Sequence, residues 1–387
     1  MVNSILFLVG KGSDEYPHKY TSRKAPQWLR EGAKTFSEFV NEDDHTVPSD
    51  VAMAMFLHYK YPQSHIDCMN GSDAVSKKLL DPYDLVVVIY DPIEVFHCGG
   101  KDKTCPLLSR RMERALKQTS AFVVPYPDFH KYIIVKPSYY KDLKRANIPL
   151  APFMKISPKM ALKDPEALKQ KLMKKKWEGV IIKPSYAGYS LGIKVFKNLK
   201  GTQVSSIKKQ FEKLEKYGFP NVTIQEFVPS FGKNFEIRTY WLNGKYAYSV
   251  GTMTKKVGGG GEGLPIDDED TFVSEGGKIP DSIKRKLKAL AREVLKALPQ
   301  YSYPHPLLRI DFGCCIPTDG DCEENYFVNE VETMACNLLP SETKFPIVEK
   351  LAGVLYRFCT KVKGTAEPEL IHSNYYYESP KCIKPIE

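Results

Sequence analysis

The sequence predicts a mixed α/β (α+β) chain built from three subdomains, and three observations carry that expectation. Residues 84–90 (DLVVVIY) form an unbroken apolar run of strand length, the mark of a strand buried on both faces. Asn243-Gly244 separates two strand-like runs and is the strongest short hairpin signal in the chain. Between these points, helix-length and strand-length segments alternate, punctuated by proline and glycine.

The first unit, 1–124, opens with a strand at 5–10 that runs into Gly10, Lys11 and Gly12. Polar, helix-like stretches separate it from the strand at 84–90. The second unit, 125–228, has Pro137 where a helix can begin, continued by 139–146 and broken by 148–152 (IPLAP). Asp164-Pro165 reads as an N-cap followed by proline at the first helical position, with the helix running towards Lys176. Strands are expected at 179–183, 192–196 and 222–228, and a helix at 205–217 ends at Gly218, a C′ glycine. The third unit, 229–365, begins with the hairpin 235–242 and 245–252, followed by a glycine-rich loop at 258–264. Ile283, Leu287, Leu290, Ala291, Val294 and Leu298 share one helix face. Strands at 307–315 and 326–333, joined by the polar loop 317–325, close the unit, and the tyrosine-containing tail 366–387 reads as irregular. There is no internal repeat.

The composition of the 387 residues, 42% hydrophobic and 26% charged, is that of a globular protein. No run approaches the roughly 18 apolar residues of a membrane helix. The run at 5–9 is too short for a signal-peptide core and has no basic start. Nine cysteines, an odd number with no Cys-x-x-Cys pair, suit a reduced, cytoplasmic protein. His97, Cys98 and Cys105 form a metal-like half-cluster without a second half. The net charge of +10 is scattered over helical faces rather than gathered in one stripe, so small anions such as nucleotides are expected as partners, not nucleic acid.

Four constellations carry chemistry. In 183–192 (KPSYAGYSLG) a lysine ends a strand, and small residues including Ser190 allow a tight loop whose N–H groups can wrap phosphate oxygens. Glu330 and Glu332 lie two apart on a strand and share a face, and pairing about Asp321 would set Asp311 opposite residue 331. Three carboxylates on one face are costly without a cation among them, and hard oxygen ligands suit Mg²⁺. A solvated edge hairpin with scattered acids is the plain alternative. Gln225, Glu226 and Val228 end a strand where backbone groups can meet an adenine edge. Glu236 and Arg238 follow, suited to ribose hydroxyls and a phosphate. Arg309, two before Asp311, can stabilise an oxyanion or form a structural salt bridge.

In this order, the lysine–glycine loop, the Gln-Glu hinge, Arg-x-Asp and Glu-x-Glu resemble the ATP-grasp superfamily, and most closely the D-alanine–D-alanine ligase-like carboxylate–amine ligases. The resemblance covers 125–345. It implies ATP between the central and C-terminal subdomains, held by Lys136 (with Lys131 the competing choice), Lys183, Ser190 and Lys255 or Lys256. It also implies two Mg²⁺ ions, with Mn²⁺ as an alternative, on Asp311, Glu330 and Glu332. A substrate carboxylate would become an acyl phosphate, an amine would attack it, and Arg309 would steady the oxyanion while 257–270 closed as a lid. Three departures stand out. The family's asparagine metal ligand is Glu332 here, its Ser-Pro-Gly is Met334-Ala335-Cys336, and the first unit has no counterpart of its histidine–glycine and glutamate substrate motifs. D-alanine is therefore not carried over as substrate.

Two other activities use the same ATP site. An ATP-grasp kinase acting on an inositol-phosphate-like substrate would need a basic cluster, for which His18, Lys19, Arg23 and Lys24 are the candidates. An amino-acid ligase acting on a protein is the other. A homodimer is kept as an option, since the oligomeric state is left open by the sequence.

Overall fold

The computed structural model describes residues 2–10, 14–74, 76–89, 105–185, 192–228, 236–253, 271–273, 281–314, 325–334, 336–364 and 369–372; at 105–110, 253, 271–273, 314, 371 and 372 only the backbone is described.

The first unit runs β1 (Ser4–Val9), α1 (Gln27–Thr35), α2 (Ser49–Lys60), β2 (His65–Asn70), α3 (Lys77–Leu80), β3 (Leu85–Val88), α4 (Cys105–Gln118) and β4 (Phe122–Val124). Its sheet is wholly parallel, in the order β2-β1-β3-β4. Alternate residues of β1 enter different cores: Ile5 and Phe7 face one apolar cluster, Leu6 and Leu8 another. Burial on both faces is why β1 and β3 read as continuous apolar runs.

The second unit contains α5 (Pro127–Ile134), α6 (Lys136–Arg145), β5 (Phe153–Ile156), α7 (Pro158–Lys163), α8 (Pro165–Met173), β6 (Val180–Pro184), β7 (Lys194–Phe196), α9 (Val204–Lys216) and β8 (Val222–Glu226). An antiparallel sheet, β5-β8-β6-β7, packs on its own core, which includes Leu168, Ile182, Phe211 and Ile224. Asp164 caps α8 as expected, its Oδ1 accepting from Ala167 N at 2.8 Å. That helix stops at Met173, short of Lys176, which takes a left-handed φ of 61°.

The third unit holds β9 (Glu236–Leu242), β10 (Lys245–Met253), β11 (Thr271–Val273), α10 (Asp281–Ala297), β12 (Gln300–Tyr301), β13 (Leu307–Cys314), β14 (Tyr326–Glu332), α11 (Ile347–Val362) and β15 (Leu370–His372). The five-stranded antiparallel sheet has the order β11-β10-β9-β13-β14. At the β9–β10 turn, Asn243 (φ 49°) and Gly244 (φ 74°) both take the positive φ that a type I′ turn requires.

Three expectations are corrected. Asp311 pairs with Glu330, not with residue 331, because the register shifts between Asp311 and Phe312. Part of the tail is regular, with β15 pairing β12. The C-terminal stretch also includes α11, a helix beyond the two strands expected to close the third unit. This helix covers the first unit rather than the third unit's sheet: Tyr356 stacks on Tyr61 at 3.5 Å, and Tyr16 Oη donates to Glu349 Oε1 at 2.8 Å. Among the described residues, no helix is long and apolar enough to cross a membrane.

Candidate active site

The site lies where the second unit's sheet meets the edge of the third unit's sheet. Strand β14 is an edge strand, so its outward backbone groups need partners. Helix α6 and the linker behind it supply them. Tyr140 Oη donates to Asn329 O at 2.6 Å, Tyr139 Oη accepts from Val331 N at 3.3 Å, and Pro149 O accepts from Val328 N at 2.9 Å. This docking brings the first turn of α6 over the acidic face of β14. Lys136 Nζ then sits 2.5 Å from Glu330 Oε1. Lys131 points elsewhere, pairing with Glu113 at 3.0 Å, so Lys136 is the cleft lysine.

Lys183, near the end of β6, is 8% exposed, and its Nζ donates to Tyr140 Oη at 3.3 Å. Burial depresses this ammonium to a pKa of about 8, and the Lys136 charge adds to the effect against the pull of Glu330 and Glu236. Two lysines in such proximity suit a polyanion.

On the facing sheet, register sets Arg238, Asp311 and Glu330 in one row, and Tyr240, Arg309 and Glu332 in the next. Arg309 is 5% exposed and bridges two acids. Its Nε and Nη2 hold Asp311 Oδ1 and Oδ2 at 2.9 and 2.8 Å, and Nη2 also holds Glu332 Oε2 at 2.8 Å. Burial alone would lower the guanidinium's pKa, but Asp311 and Glu332 hold it firmly charged. Burial pushes the Glu332 carboxyl up to about 8, reinforced by the charges of Glu330 and Asp311 and only partly offset by Arg309. Burial also acts to raise Glu330, but Lys136 and Lys183 override it and keep that carboxyl below its ordinary value.

The three acids share a face as expected, yet each is held by a protein cation. Among the described residues, no three carboxylate, imidazole or thiolate groups already converge as a ready metal cage. The donor set still fits a divalent ion. Its oxygens are hard ligands, and the charges of Glu330 and Asp311 press on Glu332 in addition to its burial.

At the other end of the cleft, Gln225 is buried, its Nε2 donating to Ala151 O at 3.5 Å, while Glu226 N donates to Pro152 O at 2.8 Å. Val228 packs with Ala151 and Phe327 in a small separate apolar cluster. Glu236 and Arg238 lie on the acidic face, 3.4 Å apart. Ser190, Lys255, Lys256, the expected lid 257–270, the loop 317–324, Ala335, His97, Cys98 and residues 373–387 fall outside the described residues, as does the side chain of Cys105.

Sequence reasoning missed four contributors. Tyr140 had a signal, since it lies four residues beyond Lys136 on the same helix face. Asn329 and Phe327 had none, because the register shift moves both to the cleft side. Asp14 comes from the loop at the carboxyl end of β1, where ligands gather in parallel sheets. Its Oδ2 accepts from Leu338 N and, at 2.9 Å, from Leu339 N. Burial raises this carboxyl to about 6, although those amides, Arg309 and Arg238 oppose the shift.

Comparison with known proteins places this architecture. No protein-family pattern and no curated sequence matches the chain. Solved structures match nearly end to end. The D-cycloserine synthetase DcsG aligns with 15% identity and a TM-score of 0.58, covering 93% of this chain and 100% of its own. A D-alanine–D-alanine ligase from Bacillus anthracis, complexed with ATP, aligns with 14% identity and a TM-score of 0.53, covering 94% and 98%. A RimK domain ATP-grasp protein from Sphaerobacter thermophilus gives 10% identity and a TM-score of 0.54, covering 91% and 98%. The chain has the ATP-grasp fold.

Proposed function

We propose that this protein is an ATP- and Mg²⁺-dependent ligase that joins a small-molecule carboxylate to an amine through an acyl phosphate. The observation that carries this reading is the pairing across one cleft of Lys136 and Lys183 with the acidic face Asp311, Glu330 and Glu332. The lysines hold the nucleotide phosphates. Asp311, Glu330 and Glu332 would hold Mg²⁺, which supplies charge neutralisation at the phosphates. A substrate carboxylate oxygen attacks the γ-phosphorus, the bond to the bridging oxygen breaks, and ADP leaves. The amine then attacks the acyl carbonyl and phosphate departs, while Arg309 stabilises the tetrahedral oxyanion from its buried position. The structural neighbours supporting this reading include a D-alanine–D-alanine ligase complexed with ATP.

The test is ADP release with Mg²⁺ against pooled carboxylic acids, amines and inositol phosphates. Release that needs both an acid and an amine is the expected result. Release with a single polyol phosphate would replace the ligase reading with a kinase one.

A further inference from the structure

The register shift in β14 has a chemical consequence. Asp311 pairs with Glu330, while Phe312 pairs with Val328, so Asn329 is the extra residue of a β-bulge. A bulge re-aims a side chain that strict alternation would send to the opposite face. Val328 and Val331 remain in the core behind the sheet, whereas Asn329 joins Glu330 on the cleft side. Its Nδ2 donates to Glu236 Oε1 at 2.7 Å. The amide orientation is dictated by that partner, since a carboxylate oxygen can only accept.

The other Glu236 oxygen is held by Arg238 Nε and Nη2, each at 3.4 Å. The carboxylate is thereby fixed from both sides. Both Asn329 and Glu236 remain half-buried rather than sealed. Along the cleft side of β14, the residues change from apolar Phe327, grouped with Val228 and Ala151, through Asn329, to Glu330 beside Lys136. A nucleotide laid along this strand meets that sequence in its own order: a flat apolar base, a polar sugar, then phosphates.

We propose that Asn329 and Glu236 together form a ribose clamp, making Asn329 a determinant of ribonucleotide over deoxyribonucleotide binding. The proposal rests on the reading of the cleft as the ATP site. A vicinal diol offers two O–H donors and two acceptor oxygens. Glu236 accepts from one hydroxyl. The Asn329 Oδ1 accepts from the second, and its remaining Nδ2 hydrogen donates back. A deoxy sugar leaves part of this pair unmatched, which is the situation in which polar sites discriminate most strongly.

The experiment measures calorimetric affinities of the full chain for ATP, 2′-deoxyATP and 3′-deoxyATP, in the wild type and in Asn329→Leu, with melting temperatures recorded alongside. The wild type is expected to bind ATP about tenfold more tightly than at least one deoxy analogue. In Asn329→Leu that ratio falls below about threefold because ATP binding weakens, while deoxy binding stays unchanged. Asn329→Ala serves if the leucine variant does not fold. A wild type that binds all three nucleotides equally overturns the clamp, as does a folded variant that keeps the full ratio. A wild type that binds no adenine nucleotide overturns the ATP reading itself, a result distinct from either.

Discussion

The Lys183 ammonium donates to the Tyr140 hydroxyl at 3.3 Å, and that hydroxyl donates in turn to the carbonyl of Asn329 at 2.6 Å. One buried phenol thus ties the cleft lysine of the second unit to the edge strand of the third. The aromatic ring adds to the hold, with Lys183 Nζ 5.7 Å from its centroid. The phenol thus positions Lys183 within the second unit while it anchors α6 to β14.

Tyr140→Phe keeps the ring and removes the relay. It leaves the Asn329 carbonyl and the Lys183 ammonium each without this partner. A loss of about 1–3 kcal/mol in stability is expected, together with a several-fold weaker affinity for ATP. Urea unfolding and calorimetric titration check the two separately. Unchanged ATP affinity in a destabilised but folded variant would reduce Tyr140 to a packing residue.

Glu330→Gln separates the phosphate role proposed for the cleft from the metal role proposed for it. Glu330 faces Lys136 at 2.5 Å, so its negative charge opposes a polyphosphate when no divalent ion is present. In the variant, Mg²⁺-free ATP is expected to bind as well as or better than in the wild type. The tightening on adding Mg²⁺ should be lost, and ADP release abolished. Calorimetry with and without EDTA reads the difference. A variant with full turnover would refute the metal assignment.

Stability should fall in mild acid through two buried imidazoles. Burial depresses His130 to a pKa of about 4, and burial likewise takes His305, stacked 3.6 Å from Phe129, down to about 3. Both are therefore neutral in the fold. The unfolded chain takes up their protons near pH 6.5. Below that pH the unfolded state binds more protons, so stability declines as pH drops from about 6.5 towards 4. Each site contributes about 2 kcal/mol of loss by pH 5. His305→Phe retains the stacking and should flatten the slope by one proton. Urea midpoints at pH 5, 6 and 7 provide the measurement.

The sheets and most helices were legible because their residues are buried by local pattern alone. The β3 run, the Asn243-Gly244 turn and the Asp164 cap each encode their geometry within a few residues. The acids of the site were legible for the same reason, since Glu330 and Glu332 share a face in any strand. Asn329 was not, because alternation assigns it the wrong face and nothing local announces a bulge. Asp14 was not, because its partners Leu338 and Leu339 lie more than three hundred residues away. Tertiary pairing decides such contacts.

In helix α11, sequence position and packing diverge. It follows the third unit's strands, yet its residues reach back to the first unit. Asn3 Nδ2 donates to Thr360 Oγ1 at 2.9 Å, Ser64 Oγ lies 3.0 Å from Tyr356 Oη, and Lys363 Nζ bonds Asp84 Oδ2 at 3.0 Å. Leu351 and Leu355 are fully buried in the cluster that also takes β1 and α2. Leu351→Ala removes apolar atoms from a site with no solvent access and should cost about 2–5 kcal/mol. The cost should appear in both the first and third units, since α11 belongs to the packing of one and the chain of the other. Unfolding followed by hydrogen exchange checks this: the variant should lose protection in β1 and β13 together. Loss confined to β13 would mean that the first unit's sheet stands without this helix.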